Sequence, residues 1–481
     1  MSEQGAADVV IVGAGLAGLA AAVALSGAGA KVRVVERKPY VGGRAYSYPH
    51  PALGEVIDSQ HVMLGCCTNL VDLCRLAGAD RHVRWYERIT FLEPGGEGRG
   101  ARASEIGAGD LPAPGHSTVS FLRAPMLGWK DKVRIAQGLT EFLRGVPADD
   151  AEAFSEWLRR TRQTELAVRH FWEPVIVGAL NDGFERCSTR YAAQVFHESF
   201  LRSGEGGRLG IPAKPLSEFY AGTARLAEVQ GAQIGLRCSV ERIERAGDGS
   251  WIAVASDGER ISAPAMLLAL PFEQTAKLLG TVAEPSAEVS KVIEDLGHFE
   301  HAPITTVHVW IDRAVTELEH AALLDTRIQW MFNKTLIRRF EADATAAGEG
   351  QSRKSEGQYL ELVISASFAE LKQTREQIVG SALEELARFF PRVREAKVER
   401  VGVLKEARAT FSVLPGMDRW RPGAGACGGG LFLAGDWTRT GWPSTMEGAV
   451  RSGRLAAEAI AGRRFLTPDL PASGLMRLLV R

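Results

Sequence analysis

Three glycines and an acid give this sequence its first chemistry. Gly13, Gly15 and Gly18 stand in G-x-G-x-x-G spacing, with Ala17 inside the same loop and Glu36 closing the next apolar run. Such glycines allow a tight turn, a close backbone approach to a pyrophosphate, and intimate packing of helix on strand. An acid at the position of Glu36 can accept hydrogen bonds from ribose hydroxyls. Directly after it, "RKPYVGGRAYSY" brings Arg37, the pair Gly42 and Gly43, and Arg44. The glycine pair permits a second close backbone approach, and Arg44 can reach a pyrophosphate as a charge-assisted donor.

A second group lies in "GEVIDSQHVMLG", residues 54–65. The stretch alternates as a half-buried strand would, yet Gln60 and His61 are adjacent. Neighbours on a strand face opposite ways, so one of the two is expected to look inward. An imidazole titrates near neutral pH, which makes His61 a candidate proton donor. In the opposite register the roles of Gln60 and His61 exchange. Asp58 is a candidate to orient His61, although residues three apart on a strand do not share a face.

A third group is "GLFLAGDWTRTGWPSTMEGAVRSGRLAAEAI" near the carboxyl end. "LFLAG" reads as a buried strand, followed by Gly435 and Asp436. "STMEGAVRSGRLAAEAI" reads as an amphipathic helix with Ser444 or Thr445 as N-cap and Glu447 in its first turn. Met446 and Ala449 fall on that first turn, where the helix dipole is positive. Trp437 and Trp442 flank the segment, and aromatic faces there can stabilise a cation.

The elements that position these groups follow from pattern. "DVVIVGAGLAGLAAAVALSGAGAKVRVVER" reads as a strand over Val9 to Val12, a helix from about Leu16 to Ser26 and a second strand ending at Glu36. Residues 231–271 carry short β-rich runs with Asp-Gly turns at Asp248-Gly249 and Asp257-Gly258, then a buried strand "AMLLALP". "DAEAFSEWLRRTRQTELAVRHFWEPVIVGALND" is helical. "APITTVHVWID" and "QYLELVISAS" read as strands of a sheet. "EPGGEGRGARASEIGAGD" and "EADATAAGEGQSRKSEGQ" read as loops, the second a mobile one.

Composition bounds the class. The chain has 481 residues, is 45% hydrophobic and carries 52 glycines, as suits a soluble α/β protein with a large core. Fifty-seven basic residues nearly cancel fifty-eight acidic ones, so no charge excess points to nucleic acid. The six cysteines show neither C-x-x-C pairs nor zinc spacing. They are expected to be reduced in a cytoplasmic protein, and no metal site is expected. The apolar run 8–30 lacks the basic flank of a signal peptide, so no membrane crossing is expected.

With the "GG-R" segment, the sequence resembles the flavin-containing amine oxidase and phytoene desaturase superfamily. The resemblance implies FAD as cofactor. It also implies an α/β fold: a Rossmann-like FAD domain from residues 1–60, 226–300 and 400–465, and a discontinuous substrate domain of mixed sheet and helices from 61–225 and 301–399. It places Val240, in "CSVERIE", against the adenine through backbone groups. It places the amino end of the closing helix at the pyrimidine side of the flavin, and Asp436 at the ribityl or phosphate region.

Three pieces are more specific: Asp58 to His61, Trp172 to Asn181, and Gly435 to Arg454. Together with "IPAKPLSEFY" (211–220) they resemble bacterial hydroxysqualene dehydroxylases. "ALND" departs from that family's Asn-Thr-Pro, and Ser59 from its Asn or Gly. That resemblance implies reduction of hydroxysqualene to squalene in hopanoid biosynthesis, with hydride from reduced FAD to an allylic carbon as water leaves. Trp172, Asn181, Trp437 and Trp442 would then face the substrate. An electron donor is implied, of no class that the sequence names. A carotenoid or phytoene-type desaturase and an amine oxidase are the alternatives. The tail 466–481 ends in "LMRLLVR", a short apolar helix with cations, which suits either a bilayer interface on the cytoplasmic side or packing on protein.

Overall fold

The computed structural model describes residues 7–95, 100–345 and 357–479. Two large sheets organise it. The first has five parallel strands in the order Gln233–Leu236, Val32–Glu36, Val9–Val12, Ala265–Leu268 and Leu431–Leu433. These strands come from the two ends and the middle of the chain, so the head and tail motifs share one sheet edge. The central runs Val9–Val12 and Ala265–Leu268 are buried on both faces, as covered parallel strands require, while the edge strand Gln233–Leu236 is partly exposed.

The helix Leu16–Ser26 buries every residue but Ala24. Its alanines let it lie close to Met446–Ala461, where a Cβ on Gly453 would meet the Ala17 carbonyl oxygen at 2.0 Å. Eleven residues rise only about 16 Å, so the apolar run that resembles a membrane span is a core helix. Among the described residues no helix is long and apolar enough to cross a membrane. An antiparallel meander, Val240–Arg245, Trp251–Ala255 and Arg260–Ala263, turns at Gly249 and Gly258, both with φ of +86°.

The second sheet has seven strands in the order Val398–Phe411, His301–Ile311, Gln358–Ser365, Trp330–Asn333, His320–Leu323, Arg88–Glu93 and Arg102–Gly107. Helices Phe154–Arg160, Glu173–Leu180 and Thr189–Phe196 pack beside it around an aromatic core of Phe142, Phe154, Trp157, Trp172 and Phe196.

Five expectations change. The strand Glu55–Ile57 ends before Asp58, and 58–62 are irregular, so the alternation argument does not govern Gln60 and His61. Residues 102–107, read as loop, form a strand because Arg88–Glu93 offers them an edge; residues 96–99 lie outside the described ones. The helix Lys334–Thr345 runs into the second expected loop, whose residues 346–356 also lie outside the description. Residues 400–411, assigned to the cofactor domain, pair with His301–Ile311 in the substrate-side sheet. Conversely, Leu216–Val229 begins the cofactor side ten residues before the expected boundary at 226, because it packs on the glycine helix.

Candidate active site

The two glycine motifs are built against each other. Gly13 has φ of +107°, and a Cβ there would meet the Ala269 carbonyl oxygen at 2.4 Å. A Cβ on Gly18 would meet the Gly13 carbonyl oxygen at 2.0 Å, so Gly18 closes the turn from beneath. Gly42 donates its N–H to Ala14 O at 2.9 Å. Gly43, at φ +67°, has room for no Cβ because Gly15 Cα would lie 2.9 Å away. The Glu36 carboxylate ties the arrangement together, accepting from Ala14 N at 2.8 Å and Lys38 N at 2.9 Å. It therefore shapes the loop, while the residue still borders the cavity that opens here.

That cavity holds about 790 Å³ and runs from this cradle into the second sheet. Gly13, Gly15, Ala17, Glu36, Arg37, Gly43, Arg44, Val240, Gly435, Asp436, Met446 and Ala449 all line it. Head and tail meet in an ion pair: Arg44 Nη2 donates to Asp436 Oδ1 at 2.5 Å, and Asp436 also accepts from Ser444 Oγ. Thr445 caps the closing helix, accepting from Gly448 N at 3.0 Å. The helix thus brings its positive end to the cavity wall. Glu447 does not face outward in that first turn. It is fully buried, and accepts from Asn69 N and Leu70 N to cap the helix Thr68–Leu76.

Backbone amides, a helix end and Arg44 around an elongated space are the donor set a dinucleotide cofactor needs, so the residues present fit FAD. Gly15 and Gly43 would hold it at the pyrophosphate, Val240 at the adenine end, and the Met446 helix end at the flavin.

Gln60 and His61 line the same cavity on its floor. Behind Gln60 lies a buried ionic cluster. Lys334 Nζ donates to Gln60 Oε1 at 2.5 Å and Asp58 Oδ1 at 3.2 Å, and stands 3.4 Å from Glu361 Oε2. Glu361 also accepts from Gln60 N. Burial works against charge on Asp58, but the Lys334 ammonium outweighs it and holds the carboxyl below its usual range. Burial pushes Glu361 up to about 7, with Lys334 opposing and the Asp58 charge reinforcing. Two carboxylates thus share one cation, and Glu361 is the one that keeps a proton near neutrality.

His61 donates from Nδ1 to Ser59 O at 2.7 Å. Burial lowers its pKa, so the ring is neutral at neutral pH and offers Nε2 as an acceptor. Asp58 does not orient it: that carboxylate is spent on Lys334 and on Leu216 N.

The walls beyond are apolar: Ile89, Phe91, Val175, Phe200, Ile304, Trp330, Phe332 and Val363. Trp442 borders the cavity, with Arg451 over its ring at 5.5 Å. Asn181 borders it as well, but its amide is consumed by Ala302 O, Thr410 Oγ1 and Ala366 N, which fix a left-handed helix end at φ +56°. Trp172 and Trp437 are corrections, since neither lines the cavity. Trp172 is wholly inside the aromatic core, with Nε1 donating to Gln163. Trp437 turns away under Gly435 and donates to Leu270 O.

Sequence reasoning passed over Lys334, Glu361 and Arg421. Arg421 is fully buried and donates to the carbonyls of Asp436, Trp437, Thr438 and Trp442, so one guanidinium shapes the whole closing loop. A lone lysine after "WMFN", a glutamate inside "QYLELVIS" and an arginine in "RWRPG" carry no local pattern. The glutamate in an otherwise apolar run was the one available signal.

The family described as flavin-containing amine oxidoreductase matches residues 16–461. A probable zeta-carotene desaturase of Synechococcus elongatus is 27% identical over 94% of this chain and 98% of its own length. The 15-cis-phytoene desaturase of Solanum lycopersicum is 26% identical over 94% of this chain and 77% of its own. Putrescine oxidase structures superpose with a TM-score of 0.68 at 17% identity over 95% of this chain and 99% of theirs. Cyclohexylamine oxidase of Brevibacterium oxydans gives 0.67 at 18%, over 95% and 99%. With both ends of the chain meeting in a cradle for FAD, and this match over most of its length, the chain belongs to the flavin-containing amine oxidoreductase family and is an FAD-dependent oxidoreductase.

Proposed function

We propose that this enzyme acts on a long isoprenoid lipid, and that its reaction is a desaturation of the carotenoid-precursor type. The observation that carries this reading is the end-to-end similarity to carotene and phytoene desaturases, at 24–27% identity over 94% or more of the chain. The cavity supports it, since its far walls are apolar and aromatic. Such walls bind a polyene by burial alone and exclude water from the reacting carbons. FAD, when bound, supplies the two-electron chemistry. The Trp330 and Phe332 rings stack at 5.9 Å along one wall, offering electron-rich faces to developing positive charge in a polyene.

One observation favours a second reading, reductive loss of the hydroxyl of hydroxysqualene. A hydrocarbon makes no use of hydrogen-bonding groups, yet Gln60 and His61 line the cavity with a proton-holding Lys334–Glu361 pair directly behind Gln60. A departing hydroxyl needs such a polar corner to bind it. The Asp58 to His61, Trp172 to Asn181 and Gly435 to Arg454 segments resemble the dehydroxylases.

Anaerobic mixing separates the two. Oxidised holoenzyme that bleaches on phytoene or zeta-carotene and yields a more unsaturated lipid supports desaturation. Photoreduced holoenzyme that regains colour on hydroxysqualene and yields squalene supports dehydroxylation and sinks desaturation. Peroxide formed from amines in air, with neither lipid changed, sinks both.

A further inference from the structure

Two stretches far apart in sequence, joined where the tail bonds Ala113 next to Pro114 of a second cavity, carry exposed apolar side chains. Trp129, 72% exposed, stands with Leu122 and Val133 on and beside the helix Trp129–Phe142. Leu478, 83% exposed, stands with Leu475 and Leu479 at the carboxyl end. The tail is fixed there rather than loose. Leu475 N donates to Ala113 O at 2.8 Å, Ser473 N donates to Arg202 O at 3.0 Å, and Met476 is buried in the core.

Leu122, Trp129 and Val133 rim a second apolar cavity of about 250 Å³. It shares the walls Ile89, Phe91, Val175 and Phe200 with the main one. An apolar path therefore reaches from the active-site walls to this patch. The charge here is one-sided: over residues 109–137 and 471–479, Arg123, Lys130, Arg134 and Arg477 reach solvent against Asp110 alone among the acids. The chain as a whole is nearly neutral, with 57 basic and 58 acidic residues.

We propose that this face docks on an anionic lipid bilayer, with Trp129 and Leu478 inserted at the boundary of headgroups and acyl chains and the second cavity opening into the lipid. Large apolar side chains without a protein partner mark an interaction surface. Cations around an apolar centre complement acidic headgroups. A second copy is a poor occupant, because an isologous contact would set the four cations against themselves. Delivery of a lipid substrate through the mouth rests on the function proposed above; the docking itself does not.

The test is flotation of the FAD-loaded full-length protein with vesicles of phosphatidylcholine, and of equimolar phosphatidylcholine and phosphatidylglycerol. Wild type is expected to float with the anionic vesicles and less with the neutral ones. Trp129→Ser combined with Leu478→Ser should weaken partitioning about tenfold or more. Lys130→Glu combined with Arg477→Glu should abolish the preference for anionic vesicles, again about tenfold. All four positions are exposed, so flavin content and melting temperature should be unchanged. Wild type that stays at the bottom of both gradients overturns the proposal, as do variants that float equally well. A dimer in solution that the serine variant dissociates, without vesicle binding, assigns the face to a second copy instead. Vesicle binding that persists while neither isoprenoid is turned over sinks the substrate reading and leaves the docking standing.

Discussion

The two halves of the cavity are made of different materials. The cofactor half is backbone: glycines at φ +107° and +67°, a capped helix end, and one ion pair between the chain's two ends. The substrate half is side chain: apolar walls on a seven-stranded sheet, with one ionic cluster buried in its floor. Backbone geometry admits few residue types, so the first half is rigid in both shape and sequence. Apolar walls admit many residues of similar size, so the second half is free to change substrate while the charges in its floor hold its shape.

That contrast predicts where damage is greatest. Lys334→Met leaves Asp58 and Glu361 buried together without their cation and should cost about 3–5 kcal/mol of stability. Adding Glu361→Gln should return part of it, a coupling that thermal melts of the single and double variants measure. Equal melting temperatures for wild type and Lys334→Met would break the comparison, since the floor would then be no stiffer than the walls.

The same cluster gives a pH signature. Glu361 holds its proton more tightly in the folded chain than an unfolded glutamate does. Its contribution is present in acid and is lost as pH rises from the ordinary carboxylate range through about 7, a change of about 3 kcal/mol. Asp58 works the other way at lower pH, because its depressed pKa adds stability above the ordinary range and loses it as pH falls. Relative to Glu361→Gln, wild type should therefore become less stable between about pH 5 and pH 8. Parallel curves would show that Glu361 is ionised throughout.

On the cofactor side, Gly18→Ala drives a methyl into the Gly13 carbonyl and should cost about 2–3 kcal/mol, appearing as roughly hundredfold weaker FAD binding by fluorescence titration. A yellow, fully loaded variant would mean that the loop yields. Arg44→Ala should have the smallest effect. The arginine side chain is 38% exposed, so solvent screens its pair with Asp436. FAD affinity should fall about tenfold at low salt and less at high salt.

Much of the cofactor half was legible in the sequence. The first strand, the glycine helix, the second strand ending at Glu36 and the closing helix with its Thr445 cap lie where pattern places them. Glycine spacing, caps and Asp-Gly turns are local rules, each satisfied within a few residues. The strand Arg102–Gly107 was illegible because only its pairing with Arg88–Glu93 makes it a strand. Trp172 and Trp437 misled because an aromatic beside a motif can turn toward the cavity or into the core, and the sequence does not carry that choice.

What the chain's residues determined alone is the dinucleotide cradle, because only glycine can adopt those backbone angles and tolerate those approaches. What tertiary structure decided is the floor and the mouth of the cavity. Lys334 reaches Asp58 across 276 positions, and the tail reaches Ala113 across more than three hundred. Side chains that act through partners so distant have no neighbourhood in sequence that constrains them; their meaning arises when burial removes water and leaves each charge only the partners buried with it.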